Sequence, residues 1–279
     1  MEQALMDLAV TAARRAGALI MRYYRPGDSP DPQSWVGSKG INNPVTQADI
    51  EANNLLQQQL MQATPHYGWL SEESADDTSR LDKQRVWIVD PIDGTREFIR
   101  GEPQFAVSIG LVEQGQPLLA CVYNPAQDQM FTAWHQEGSC LNGHPVYVST
   151  RQQLQGSRCL SSQSETKRGE WQSYRDELQL VAMGSVAYKL ALVASGHYDL
   201  TFTLTPKSEW DVCAGVLLVQ CGGGRVTDQQ GHQHDFNRPV PRLTSLLASN
   251  GLLHPALLQR LAHVPLSPDR QKYSCQSCS

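Results

Sequence analysis

Two carboxylates stand three residues apart in Asp90-Pro91-Ile92-Asp93-Gly94-Thr95. The apolar run Val86-Trp87-Ile88-Val89 before them reads as a strand, and the residues after Gly94 read as a short helix through Phe98. Acids at such a junction sit where the first amides of a new helix favour an anion. Pro91 stiffens the turn, and Gly94 lets a ligand approach the backbone. A hard divalent cation takes oxygen ligands, and Mg2+ commonly shares a few carboxylates with the phosphate oxygens of a substrate. A solvated turn in which Asp caps the helix accounts for the same six residues. Further acids stand elsewhere. Asp49 lies near the start of a helix, Glu72-Glu73 follows Gly-Trp-Leu-Ser, and Asp211 follows Trp210 at another helix start. Taken singly, each reads equally as a cap or a surface charge.

As a set these residues carry more. Asp49, Glu72-Glu73, the string from Asp90 to Thr95, Trp210-Asp211 and Gly223-Gly224 occur in an order that resembles the lithium-sensitive, Mg2+-dependent phosphatase superfamily. That superfamily holds the inositol monophosphatases, fructose-1,6-bisphosphatases and 3′(2′),5′-bisphosphate nucleotidases. Asn43-Pro44-Val45-Thr46-Gln47-Ala48-Asp49 and Gly138-Ser139-Cys140-Leu141-Asn142-Gly143 are also similar to its segments, so the resemblance covers nearly the whole chain. It implies a layered α-β-α-β-α sandwich of the α+β or α/β class, with a largely antiparallel N-terminal sheet and a mixed C-terminal α/β sheet. It also implies roles. Glu72, Asp90 and the Ile92 carbonyl would hold one Mg2+; Asp90, Asp93 and Asp211 a second; Asp49 with Glu72 a third and weaker one. Glu73 would stand beside the ligands. Thr95, with Asp49 and Glu72, would orient or deprotonate the attacking water. Asp93, Gly94, Thr95, Ser185, Lys189, Glu209 and Asp211 would meet the substrate. The chemistry is coherent, because paired cations neutralise a phosphate monoester and acidify water without any side-chain nucleophile.

The substrate is read from smaller differences. Thr95-Arg96-Glu97-Phe98 resembles the nucleotidase branch, and Gly184-Ser185-Val186-Ala187-Tyr188-Lys189 places a lysine where nucleotidases carry one. A lysine there would meet a second phosphate as a point charge; a solvated helix lysine is the plainer reading. Arg100 to Gly110 is closer to the inositol branch. The expectation is removal of the 3′-phosphate of adenosine 3′,5′-bisphosphate, and of the related sulfated nucleotide, with AMP as product in the first case. Inositol-1-phosphate hydrolysis or a dual range is the alternative, and a non-catalytic cation or nucleotide sensor is the reading from another class.

These residues need a scaffold. Leu5, Leu8, Ala12, Ala16, Leu19, Ile20 and Tyr23 recur at helical spacing, in a helix ending before Pro26. The Pro- and Gly-rich stretch from Pro26 to Pro44 reads as a loop. A second helix begins near Thr46 and ends around Pro65 and Gly68. Strands are expected over 106–112, 117–123 and 129–134, with a hairpin turn at Asn142-Gly143 before Val146-Tyr147-Val148. The second half alternates: strands at 159–160, 198–204, 225–227 and 245–248, and helices at 186–194, 210–219 and 253–261. The boundary is placed near residue 150. An N-terminal α+β domain, 1–150, then carries most of the metal ligands, and a C-terminal α/β domain, 151–279, carries Asp211 and substrate contacts.

Composition closes off other classes. The chain has 279 residues, 40% hydrophobic and 18% charged, with net charge −5. No run approaches the roughly 18 apolar residues of a membrane helix, and Met1-Glu2-Gln3 does not open a signal peptide. No basic stripe suits a nucleic-acid polymer. The partner is therefore expected to be a small phosphate ester, and the scaffold leaves room for a homodimer. Seven cysteines, an odd number and mostly scattered, suit free thiols and a cytoplasmic setting. The Cys275–Cys278 pair reads as a terminal tail, His232-Gln233-His234 lacks a third zinc ligand, and Gly222-Gly223-Gly224 is not a dinucleotide motif.

Overall fold

The computed structural model describes residues 2–27, 36–40 and 43–266. In chain order the elements are α1 (Glu2–Ile20), β1 (Val36–Gly40), β2 (Asn43–Thr46), α2 (Gln47–Ala63), β3 (Gly68–Ser71), β4 (Arg85–Asp93), α3 (Thr95–Ile99), β5 (Ala106–Glu113), β6 (Gln116–Asn124), β7 (Gln129–Trp134), β8 (Gly138–Leu141) and β9 (His144–Val146). There follow β10 (Ser157–Ser162), α4 (Gln163–Lys167), β11 (Leu178–Met183), α5 (Val186–Ala194), β12 (Leu200–Thr203), β13 (Lys207–Ser208), α6 (Glu209–Cys221), β14 (Arg225–Thr227), β15 (Arg242–Leu243), β16 (Leu246–Ser249) and α7 (His254–Leu261).

One sheet has the order β3-β4-β5-β6-β7-β8-β9, and the other β11-β10-β12-β16-β14. The first is antiparallel except where β3 pairs parallel with β4; the second mixes parallel and antiparallel pairs. Period-2 alternation gives the first sheet two apolar faces. Trp87, Val89, Ile109, Leu111, Leu119 and Cys121 pack under α1 and α2. Ile88, Ala120, Val122 and Ala133 face α5 and α6, which lie between the sheets. The inner face is built of small residues where α6 crosses it. Gly110 stands opposite Ala120, and Ala120 opposite Ala133. A Cβ on Gly110 would come 2.7 Å from Cys213 Sγ, so this glycine sets how closely α6 can lie. A third cluster, around Trp171, Tyr174 and Phe202, packs with α7 outside the second sheet. The layering is α-β-α-β-α.

Several elements differ from the sequence expectation. The stretch read as a loop up to Pro44 contains β1 and the start of β2, which pair antiparallel. Gly68, read as marking a helix end, is the first residue of β3. β8 and β11 lie outside the strands expected from the sequence: β8 is four residues long, and β11 is largely exposed at the edge of its sheet, with no apolar–polar alternation. The strand expected at 146–148 is β9, which ends at Val146; Asn142 and Gly143 do form the turn, with φ of 49° and 79°. Among the described residues no helix is long and apolar enough to cross a membrane. Cys121, Cys140, Cys159, Cys213 and Cys221 are free thiols; Cys275 and Cys278 lie outside the described residues.

Candidate active site

A cleft of about 440 Å3 opens where the carboxyl ends of β3 and β4 meet α3 and the first turns of α5 and α6. Glu72, Asp90, Ile92, Asp93, Gly94, Thr95, Ser185, Lys189 and Asp211 all line it. Glu72, Asp90 and Asp211 each bring a carboxylate oxygen within 4.8 Å of the others. Hard, anionic donors this close fit one divalent cation.

Helix capping places much of this set. Asp49 is the third residue of α2, and its Oδ2 accepts from the Thr46 amide at 2.7 Å and the Thr46 hydroxyl at 2.5 Å. Asp211 holds the same position in α6 and accepts from the Ser208 amide at 3.1 Å. Both are capping boxes with Asp as the third residue. Asp90 Oδ1 accepts from the Ile92 amide at 3.0 Å, which folds the turn back on itself. Asp93 Oδ2 accepts from Ser185 Oγ at 2.8 Å and from the Ala187 amide at 2.5 Å. The acid thereby ties the first sheet to the start of α5. Thr95 Oγ1 donates toward Asp49 Oδ1 at 3.1 Å and the Ile92 carbonyl at 3.0 Å. Gly94 has φ of +100°, and a Cβ there would meet the Gln104 carbonyl at 2.7 Å, so both backbone and space require glycine.

Burial and crowding raise the carboxyls. Asp90 stands well above the usual range, first through burial and then through Glu72, Asp93 and Asp211. Burial lifts Asp211 to about 8, with Asp93 and Glu72 adding to it. Asp93 rises only to about 6, because the Ala187 amide, Ser185 and Lys189 oppose burial. Burial takes Asp49 to about 7. Lys189, buried on α5, falls to about 8 through burial and then Lys207, against the pull of Glu165, Asp93 and Glu97. A site that raises its acids this far is one that a divalent cation would relieve.

Residues 1–265 match the model of the Inositol monophosphatase family. The chain belongs to that family. It is 36% identical to the inositol-1-monophosphatase of Mesorhizobium japonicum over 95% of this chain and 98% of that one. It is 33% identical to the Nus factor SuhB of Escherichia coli over 88% and 95%. Among solved structures, the suppressor protein SuhB of Bartonella henselae superposes with a TM-score of 0.80 at 32% identity, covering 94% of this chain and 100% of that one. The inositol monophosphatase of Anabaena superposes with a TM-score of 0.79 at 29% identity, over 96% and 98%.

Two of the anticipated residues stand apart from the cleft wall. Asp49 lies behind Thr95 and reaches the site through it; besides burial, the charge of Glu73 raises it. Glu209, expected to meet substrate, is fully buried and turns away from the cleft. Its two oxygens accept from the backbone amides of Asn237, at 2.7 Å, and Arg238, at 3.0 Å. Conversely the cleft has a cationic wall that motif reading missed. Arg96, Arg100, Lys167 and Lys207 line it with Lys189. Arg100 spans both halves of the fold through Glu97, Glu102 and Gln163. Lys207 lies 3.8 Å from the buried Glu165. Although burial opposes its charge, Lys207, Thr203 and Lys189 hold Glu165 below its usual pKa. These cations come from four separate segments in no fixed spacing, so only the tertiary structure reveals the wall.

Proposed function

We propose that the protein is a Mg2+-dependent phosphomonoesterase whose substrate is inositol-1-phosphate or a closely related polyol phosphate. The observation that carries the chemistry is the convergence of Glu72, Asp90 and Asp211 on one point beside Asp93 and Thr95. Glu72, Asp90, Asp211, Asp93 and the Ile92 carbonyl would hold the metal. When bound, Mg2+ supplies charge neutralisation for the ester and a more acidic water. The chain's own residues do the rest. Asp93, fixed by Ser185 and α5, keeps the two halves of the cleft in register. Thr95 would orient a water and accept its proton while giving its own hydroxyl proton to Asp49, its hydrogen-bond acceptor. Arg96, Arg100, Lys167, Lys189 and Lys207 line the cleft, and their charges suit a phosphate. The substrate choice follows the inositol monophosphatases among the relatives, which outweigh the nucleotidase-like Thr-Arg-Glu-Phe string.

A second reading, adenosine 3′,5′-bisphosphate, is favoured by one observation: the cationic side chains that line the cleft with the carboxylates, Lys189 buried among them. The two readings separate on a substrate panel. kcat/KM in Mg2+ should be higher for inositol-1-phosphate than for adenosine 3′,5′-bisphosphate. Lys189→Ala should then affect both substrates alike. If the bisphosphate is preferred and loses about one to two decades in kcat/KM on Lys189→Ala, as a lost charge-assisted contact predicts, the nucleotidase reading replaces the first.

A further inference from the structure

The three clustered carboxylates are not held by one element. β3 and β4 pair in parallel with Ser71 opposite Val89, and the Glu72 amide donates to the Val89 carbonyl at 3.3 Å. Glu72 and Asp90 therefore move together. Asp211 comes from α6, in the neighbouring layer, and Ser108 Oγ meets the Trp210 carbonyl at 3.3 Å across that boundary.

A buried polar chain outside the cleft links the two. Arg80 lies on the segment between Glu72 and β4, and its side chain is 1% exposed. It grips Asp76 with two nitrogens, at 2.6 and 2.9 Å. Its third contact is Asn237 Oδ1, at 2.6 Å, and its fourth the Arg238 carbonyl, at 2.9 Å. Asn237 returns a bond to the Arg80 carbonyl at 3.2 Å. Asn237 holds φ of 59°, a conformation that asparagine tolerates better than most residues. The amides of Asn237 and Arg238 are in turn held by Glu209, the first residue of α6 and two residues before Asp211. The Glu209 amide donates to the Pro241 carbonyl at 3.0 Å, and β13 pairs with β15 beside it. Arg80, Asn237 and Glu209 do not line the cleft. A guanidinium with four of its five donors engaged is a rigid connector.

We infer that Arg80, Asn237 and Glu209 form a brace that sets the position of Asp211 against Glu72 and Asp90, and with it the affinity of the site for a divalent cation. They are positioning residues; none touches cation or substrate. The inference rests on the metal-dependent reading above.

The test is Mg2+ binding by titration calorimetry on the full chain, with melting temperature in EDTA measured alongside. Asn237→Gly keeps the left-handed backbone and cuts the side-chain link to Arg80. Glu209→Gln keeps the volume and leaves one of its two amides facing an NH2 group. Both variants should bind Mg2+ at least fivefold more weakly, and kcat at saturating Mg2+ should return to within about threefold of wild type. If wild type binds Mg2+ and folded variants bind it less than fivefold more weakly, the brace serves stability alone and the inference fails. If wild type itself binds no Mg2+, the metal-dependent reading fails first. Should Glu209→Gln not fold, Asn237→Gly decides by the same criterion.

Discussion

Thr95 carries one hydroxyl hydrogen and faces two acceptors, Asp49 Oδ1 at 3.1 Å and the Ile92 carbonyl at 3.0 Å. Its hydrogen is thus directed away from the cleft, and its lone pairs are left to accept from a water. A group that works on the water is felt in the transition state and little in substrate binding. Thr95→Ala should lower kcat about 100-fold, within the range of general acid–base effects, and leave KM within about twofold. Thr95→Ser should keep most of the activity. Steady-state kinetics at saturating Mg2+ check this, and an unchanged kcat with a raised KM would move Thr95 into substrate binding. At this scale much was legible in the sequence. Asp90, Asp93 and Thr95 lie within six residues, so their juxtaposition is local. Glu209 was misplaced because an acid one residue before Trp-Asp looks like part of the same motif. On a helix, neighbours in sequence point in directions about 100° apart, and Glu209 turns to Asn237 instead.

At the scale of elements, the site depends on how closely α6 can approach the first sheet. Gly110 leaves room for Cys213, and its added Cβ would come 2.7 Å from the sulfur but 3.4 Å from the Cys213 Cβ. Gly110→Ala should cost roughly 1–3 kcal/mol, the usual range for overpacking, and should lower activity as α6 carries Asp211 away. The double variant with Cys213→Ala should recover much of the loss, since the clash is with the sulfur. Urea denaturation of the three variants measures it; simple additivity of the two single effects would contradict the geometry. A second close approach binds α5. A Cβ on Gly184 would lie about 2.1 Å from Glu97 Cδ, so Gly184 and Glu97 fix where Ser185 meets Asp93. The long amphipathic helices and the central strands were readable from periodicity. β1, β2, β3 and β11 were not, because Gly, Pro and Ser in β1 and β2, the shortness of β3 and the near-continuous apolar sequence of the exposed β11 leave little alternation for a pattern to register.

For the whole molecule, the buried acids bind protons in the folded state that the unfolded chain has released. Free carboxyls titrate near 4, whereas Asp93, Asp49 and Asp211 titrate at about 6, 7 and 8. Their contribution to stability is therefore greatest below pH 4 and is lost as pH rises through 6 to 8. Lys189, lowered to about 8 from 10.5, works in a higher window, where stability recovers between about pH 8 and 10. In EDTA the urea midpoint should fall from pH 5 to pH 8, and millimolar Mg2+ should flatten that fall by supplying the missing positive charge. Equal profiles with and without Mg2+ would contradict the assignment. The layered fold was legible through the resemblance. The lysine wall and the Arg80 brace were not, since they join residues as distant as Arg80 and Asn237 whose proximity has no local signature.

Phosphate release from inositol-1-phosphate, measured with Mg2+ and with excess EDTA on wild type and Asp211→Asn, tests the central claim most directly. Activity should appear with Mg2+, vanish in EDTA and return on adding Mg2+ back, while Asp211→Asn stays folded and nearly inactive. Full activity in EDTA, or a folded Asp211→Asn enzyme that releases phosphate as fast as wild type, would contradict it.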